Sequence, residues 1–146
     1  MPRRPRIKLA DVPQHLVQRG VNREPCFFAD EDCHCYLHWL QEAAADWRCV
    51  IHAYALMTNH VHLLVEIWQK PMAELLQGWK GYTARRINRD LGRRGKLWQD
   101  DYWDRYIRDE AHYRKVVHYI ESNPVKAGLA KTPEQWPFSS ARFRDE

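Results

Sequence analysis

The fold of this chain is decided by the stretch Met57-Thr58-Asn59-His60-Val61-His62-Leu63-Leu64-Val65. The β-branched and aliphatic residues that follow Asn59 indicate a strand, in which successive side chains point to opposite faces. His60 and His62 are therefore expected on one face, and the aliphatic residues that alternate with them on the other. Two neutral imidazoles on a rigid strand form half of a metal site and leave coordination positions open for water or substrate oxygens. The alternative is a partly buried histidine pair whose ring nitrogens are satisfied locally.

A β-hairpin is predicted around this stretch. Strand patterns lie on both sides of Thr58-Asn59, at residues 50–57 and 60–67. A two-residue turn would place Ala55 opposite His62. The small alanine side chain would then leave room beside the histidines for a metal ion and a phosphate.

A helix is predicted over residues 110–123. Its apolar side chains recur at the spacing of one helix face, and they are Tyr113, Val116, Val117 and Ile120. Pro124 is expected to end the helix, because proline disfavours helical geometry at the residue before it. Tyr119 and Asn123 lie four residues apart and therefore share a face, at the border of the apolar stripe. They could reach a site on the sheet, or they could be an ordinary boundary tyrosine and a helix-ending Asn-Pro pair.

The remaining elements complete an alternation of strands and helices. Strands are predicted at 13–19 and 103–108, and helices at 30–47, with Asp30 as N-cap, and at 71–91. The resulting order predicts an α+β fold, namely a ferredoxin-like (RRM-like) antiparallel sheet with its helices on one face. The chain has 146 residues and no linker of domain size, so residues 1–146 are expected to form one domain with a basic N-terminal arm at 1–12.

Composition narrows the class of protein. Hydrophobic residues make up 45% of the chain and charged residues 29%, the balance of a globular protein. No apolar run is long enough to cross a bilayer, and the basic start lacks the apolar stretch of a secretory signal. A cytoplasmic location without a membrane partner is therefore expected. The four cysteines are expected to be free thiols rather than a zinc site, because no C-x-x-C pair occurs and Cys33, Cys35 and His38 would scatter over several helix faces.

Basic residues cluster in two places, although the net charge is only +4. The first cluster is the N-terminal arm, with Arg3, Arg4 and Arg6, which is expected to become ordered on DNA. The second runs along the helix at 71–91 and into the following loop, and it comprises Lys80, Arg85, Arg86, Arg89, Arg93 and Arg94. Basic side chains close to aromatic ones suit single-stranded DNA, whose phosphates need cations and whose unpaired bases can stack. The alternative for the second cluster is a solvated helix face.

Several blocks together resemble a known family. They are His60-Val61-His62, the pair Tyr119 and Asn123, and the run Tyr119-Ile120-Glu121-Ser122-Asn123-Pro124-Val125-Lys126-Ala127-Gly128. The chain is similar to the HUH single-tyrosine transposases, and more closely to the branch of REP-associated tyrosine transposases. The likeness runs almost from end to end and includes residues 4–7, 15–23, 53–62, 97–99 and 136–140. The ordered set of blocks is far more specific than any one of them.

The resemblance implies a metal-dependent transposase or endonuclease. In that family two histidines bind a divalent ion, usually Mg²⁺ or Mn²⁺, and a polar side chain one turn after the nucleophilic tyrosine is the third ligand. His60, His62 and Asn123 hold the ligand places here, and Tyr119 holds the place of the nucleophile. Many insertion-sequence members have glutamine where this chain has Asn123. The implied partner is single-stranded or hairpin DNA, such as REP-like palindromes with a short single-stranded flank, and both a monomer and a homodimer remain open.

The implied chemistry is physically coherent. A tyrosine hydroxyl is a weak nucleophile at neutral pH, and a metal bound to the scissile phosphate can withdraw charge and stabilise the leaving oxygen. Attack by Tyr119 would give a 5′-phosphotyrosine link and a free 3′ hydroxyl, which can later rejoin strands. Two other functions remain as alternatives. One is a non-catalytic nucleic-acid-binding module on an RRM-like sheet, which would not need these four residues together. The other is a replication initiator or relaxase with the same chemistry, which is expected to carry further domains.

Overall fold

The computed structural model describes residues 12–46, 49–67 and 71–144. Four strands and three helices follow one another in the predicted order: β1 (Gln14–Arg19), α1 (Asp30–Asp46), β2 (Val50–Leu56), β3 (His60–Glu66), α2 (Met72–Leu91), β4 (Trp103–Tyr106) and α3 (Glu110–Lys126). Short 3-10 helices lie at Val21–Arg23, Pro133–Gln135 and Ser140–Phe143. None of the helices in the described ranges is long and apolar enough to cross a membrane.

The four strands form one antiparallel sheet in the order β2-β3-β1-β4. β1 is therefore central, although it is the first strand in the chain. In the hairpin of β2 and β3, Ala55 pairs with His62, as the two-residue turn predicts. On the other side of β3, Val17 of β1 pairs with His62 and His15 pairs with Leu64. β4 ends at Tyr106, two residues before the predicted boundary, and lies at the edge of the sheet.

The helices cover both faces of the sheet, so the expectation of helices on one face is wrong. α1 and α2 pack on the face of Leu63, where Tyr36 and Trp79 are fully buried. α3 packs on the opposite face, where Ile120 contacts a smaller apolar cluster that includes Leu64. The physical reason lies in β3: residues 61–65 are all buried, and a strand with two apolar faces needs cover on both.

α3 does not end at Pro124. The helix continues for two more residues to Lys126, and Gly128, with a positive φ of 77°, lies just beyond it. Proline removes one intrahelical donor, but its side chain is buried here, and Leu129 N–H donates to the Pro124 carbonyl at 2.8 Å. Burial and this bond offset the local preference that predicted a stop.

α1 begins at Asp30, but a different carboxylate closes its first turn. Asp32 is buried and accepts the backbone N–H groups of Phe28 at 2.8 Å and Ala29 at 3.0 Å. The bond to Ala29 is the one that the third helical residue makes to the residue before the helix in a capping box. The carboxylate that supports the turn is therefore two residues later than the predicted N-cap.

A buried carboxylate ties α3 to the edge of the sheet. Glu121 accepts hydrogen bonds from Ser140 Oγ at 2.5 Å and from Arg144 Nε at 2.6 Å. Ser140 Oγ also accepts the backbone N–H of Tyr54 at 3.0 Å, and Arg144 donates to the His52 carbonyl at 2.6 Å. Both backbone partners belong to β2. This Glu121 clamp fixes the position of α3 over the sheet.

Candidate active site

The paired histidines open β3 and project toward α3. The ring centroids of His60 and His62 are 4.9 Å apart. His62 is buried, with 4% of its surface exposed, and His60 is half-buried. The strand thus places both imidazoles on one face, as their spacing predicts, and at the rim of the surface that α3 covers.

Each of these imidazoles has one ring nitrogen already bonded. Nδ1 of His60 lies 2.7 Å from Oδ1 of Asn59, and Nδ1 of His62 lies 3.2 Å from Nε2 of His15. Within the described part of the chain, neither Nε2 has a hydrogen bond. In the tautomer with the proton on Nδ1, each Nε2 keeps its lone pair for a metal ion. The imidazole donors therefore fit a divalent ion.

The pKa values of these imidazoles also support a role as metal ligands. Burial lowers the pKa of His62 to about 3, and the neighbouring imidazoles and Arg19 add to the effect. Burial also lowers the pKa of His60. For His15, burial lowers the pKa to about 4, with smaller contributions from nearby cationic groups. All three rings are neutral at neutral pH, the form in which an imidazole can ligate a metal.

Tyr119 lies directly beside this histidine group. Its ring centroid is 5.7 Å from that of His62 and 6.0 Å from that of His15. Tyr119 is 45% exposed and lines the wall of a cleft. The Lys126 ammonium lies 5.2 Å from the ring centroid. Tyr113, the other tyrosine of α3, instead packs at the border of the apolar cluster and bonds His52 Nδ1 at 2.9 Å.

Asn123 is held by its own helix. Its Nδ2 donates to the Tyr119 carbonyl at 2.7 Å, while its Oδ1 accepts no hydrogen bond from the described residues. The carboxamide oxygen is therefore a candidate ligand, but Asn123 does not line the cleft beside Tyr119. No group of three or more His, Cys, Asp and Glu side chains in the described ranges is arranged to hold a metal. Asn123 belongs to none of these four residue types and therefore stays a candidate third ligand.

Sequence reasoning missed the residues around Tyr119 on β1 and β4. A cleft of about 340 Å³ opens beside the tyrosine, and its lining includes His15, Arg19, Trp103, Arg105 and His112. The signal that could have found them is the strand order. Once β1 lies between β3 and β4, His15 and Arg105 become neighbours on the face that carries the histidines.

The second basic cluster lies on the other side of the sheet from Tyr119, because α2 packs on the face of Leu63. Arg85, Arg86, Arg89 and Arg94 are exposed, whereas Lys80 and Arg93 are half-buried. Lys80 donates to the carbonyls of Gln99 and Asp100, and Arg86 and Arg93 form ion pairs with Asp90 and Glu24. Arg3, Arg4 and Arg6 lie outside the described residues.

The fold and site define a class: an α+β, ferredoxin-like domain in which an exposed tyrosine meets paired histidines on one face of the sheet. The chain belongs to the family of IS200-like transposases, whose family model matches residues 8–123.

Two known proteins are similar to this chain. The REP-associated tyrosine transposase of Escherichia coli (strain K12) is 32% identical over 105 residues, which cover 70% of this chain and 61% of that protein. This chain therefore matches about three fifths of that relative's length. The solved structure of a REP-associated tyrosine transposase bound to a REP hairpin matches with a TM-score of 0.80 at 22% identity, and covers 98% of this chain and 84% of that one. The latter likeness concerns the fold and confirms the predicted fold class.

Proposed function

We propose that this chain is a DNA strand transferase that cleaves and rejoins single-stranded DNA near hairpins, as a single domain with Tyr119 as nucleophile. One observation carries the proposal: an exposed tyrosine whose ring lies 5.7 Å from a buried, neutral histidine of the paired set. The proposed nucleophile and the proposed metal ligands thus lie at the same rim of the sheet, which supports the assignment. Membership of a transposase family supports this reading over a non-catalytic binding module.

The reaction exchanges one phosphoester for another. The phenolic oxygen of Tyr119 attacks the scissile phosphorus and loses its proton to solvent or to a neighbouring base. The bond between phosphorus and the 3′ oxygen breaks, and the leaving oxygen takes up a proton to become a 3′ hydroxyl. The 5′ phosphate stays on Tyr119, so a 3′ hydroxyl can reverse the reaction and join strands without a nucleotide cofactor.

His60 and His62 are the proposed metal ligands, with Asn123 as the third. When bound, a divalent ion, Mg²⁺ or Mn²⁺, would polarise the scissile phosphate and stabilise the leaving oxygen. The support is that, among the described residues, neither of the two Nε2 atoms nor the carboxamide oxygen of Asn123 has a hydrogen-bond partner. Asn59 and His15 hold the two rings from their Nδ1 side, which fixes their orientation.

The basic clusters are the proposed DNA contacts. The face of α2 is remote from Tyr119, so Lys80, Arg85, Arg86, Arg89, Arg93 and Arg94 are assigned to the backbone of a hairpin stem rather than to the scissile phosphate. Arg3, Arg4 and Arg6 are assigned to the same electrostatic role. The REP hairpin bound by the structurally similar transposase supports a hairpin as the substrate class.

The decisive test is trapping of the covalent intermediate. Labelled hairpin DNA with single-stranded flanks is incubated with the protein and Mn²⁺, and adducts are resolved on a denaturing gel. The wild type is expected to form an adduct, and Tyr119→Phe, which loses only the attacking oxygen, is expected to form none. Tyr113→Phe is the matched control on the same helix and should retain the adduct. Mass spectrometry that places the phosphonucleotide on another residue would overturn the assignment.

A further inference from the structure

The cleft beside Tyr119 has the shape and chemistry of a nucleotide subsite. It lies between β1, β4 and α3, and its volume of about 340 Å³ falls within the range of small-ligand sites. Its lining is His15, Val17, Arg19, His62, Trp103, Arg105, His112, Val116 and Tyr119, and none of these residues is acidic. An anionic group that enters the cleft therefore meets cations and aromatic rings without a carboxylate on its walls.

Trp103 forms an open aromatic surface in this cleft. It is 46% exposed, whereas Tyr54 and Tyr106, the other large aromatic residues of the four strands, are only half-exposed or less. His15 meets it edge-to-face, with ring centroids 5.0 Å apart. Val17 pairs with Trp103 across the strands and is buried. The indole is thus supported from the sheet side while nearly half of its surface faces solvent, as a stacking platform requires.

Two arginines flank the platform. The Arg105 guanidinium lies 5.8 Å from the centroid of the Trp103 ring, and Arg19 pairs with His60 at the other end of the cleft. Arg19 also borders a second, polar recess of about 420 Å³ with Arg23, Asn59 and Gln99. The cationic surface therefore continues along the strand ends, as a DNA backbone that passes the site would need.

His112 adds a hydrogen-bond donor to the wall. Its Nδ1 accepts the backbone N–H of Arg108 at 3.0 Å, so in the neutral ring the proton resides on Nε2. An N–H donor suits either a phosphate oxygen or a base carbonyl. The cleft thus offers an aromatic face, two guanidinium groups and one N–H donor.

We propose that this cleft binds one unpaired nucleotide next to the scissile phosphate, with its base stacked on Trp103 and the phosphates on its two sides held by Arg105 and Arg19. The inference rests on the proposed function and names a subsite of the same active centre. Stacking tolerates any base because every base has a π-face, so the subsite requires a base without selecting its identity. An abasic position should therefore be rejected more strongly than any change of sequence.

The test compares two probes of equal charge in EDTA, so that binding is separated from cleavage. One is the oligonucleotide (dT)10, and the other is a ten-unit abasic deoxyribose-phosphate strand. Trp103→Ala should weaken (dT)10 binding about 5- to 140-fold, the loss of one stacked base, and change abasic binding less than about twofold. Trp103→Phe should recover part of the loss. Phe143→Ala is the matched control, because Phe143 is an exposed aromatic outside the cleft.

Substitution of the two arginines, unlike that of Trp103, should not distinguish the two probes. Arg105→Ala and Arg19→Ala should each weaken both probes alike and reduce the slope of log K against log salt by about 0.7. Equal losses of both probes in Trp103→Ala, or no loss of either, would overturn the subsite, as would equal binding of the two probes by the wild type. Failure of the adduct assay would overturn the proposed chemistry but would leave this binding result standing, so the two failures are distinguishable.

Discussion

His15 shows how much one side chain outside the recognised motif can matter. Its Nε2 is within hydrogen-bond distance of His62 Nδ1, and its ring contacts both Trp103 and Tyr119. It therefore touches the proposed metal ligand, the proposed stacking platform and the proposed nucleophile. The sequence alone gives His15 no role, because its contacts depend on which strands flank β1, and those strands lie far away in the chain.

His60→Ala is expected to abolish adduct formation while changing DNA affinity by less than about threefold, because phosphate contacts elsewhere dominate binding. His60 is chosen because it is half-buried, so its removal disturbs packing less than removal of His62. The measurement pairs the adduct gel with fluorescence anisotropy on the same hairpin. An adduct yield equal to that of the wild type would exclude His60 as a ligand.

His15→Ala is expected to raise the Mn²⁺ concentration for half-maximal adduct formation about 10- to 100-fold, since loss of a group that orients a ligand typically has that effect on metal affinity. His15→Gln retains a hydrogen-bond acceptor and should recover part of the loss. The readout is the metal titration of the initial rate. If His15→Ala lowers the rate equally at all metal concentrations, His15 does not act through the metal site.

At the scale of elements, the Glu121 clamp determines where α3 lies. Glu121 lies between Tyr119 and Asn123 in sequence. It is nevertheless on the opposite side of the helix from them, and it is buried. Its partners, Ser140 and Arg144, also bind backbone groups of β2. The helix that carries Tyr119, the proposed nucleophile, is thus attached to the strand next to the histidine strand.

Arg144→Ala should lower the free energy of unfolding by about 1–3 kcal/mol, because it removes a charged hydrogen bond from a buried carboxylate. Arg142→Ala is the matched control, since its exposed guanidinium donates to the Pro137 carbonyl and lies over the Phe143 ring, away from Glu121. A change below about 0.5 kcal/mol is expected there. Urea unfolding followed by circular dichroism measures both. Equal effects of the two substitutions would mean that the clamp contributes nothing specific.

Periodic sequence patterns were enough to predict the strands and helices. They did not predict how these elements are arranged in space. The hairpin register followed from two turn residues, and Ala55 faces His62 as expected. The periodicity of α2 shows which of its sides is exposed but cannot show which face of the sheet the helix covers. Likewise, the end of α3 depended on burial of Pro124, a tertiary effect that overrides local preference.

At the scale of the whole molecule, three of the four thiols are part of the core. Cys26, Cys33 and Cys49 are buried, and Cys35 is half-buried. Burial raises the pKa of Cys33 to about 12, with the carboxylates of Asp30 and Asp32 adding to it, and raises that of Cys49 to about 11. Burial also raises the pKa of Cys26. Thiols of this kind are nearly free of reactive thiolate at neutral pH.

Alkylation with iodoacetamide at pH 8 should therefore modify Cys35 first. The other three cysteines should react only as fast as the protein opens, and urea should bring all four to similar rates. Mass spectrometry of tryptic peptides at timed intervals gives the four rates. Labelling of Cys26 or Cys49 in the native protein as fast as Cys35 would contradict the packing described for the core.

The strand order also affects when the chain can fold during its synthesis. β1 leaves the ribosome first but needs partners that are made much later, because His15 pairs with Leu64 and Arg105. Such distant pairings favour slow folding. Tyr119 is added to the growing chain on the order of several seconds after the histidines, at ordinary rates of translation. Until then a growing chain that displays its imidazoles lacks the proposed nucleophile, so under the proposed function the capacity for cleavage would arise only once α3 has been made.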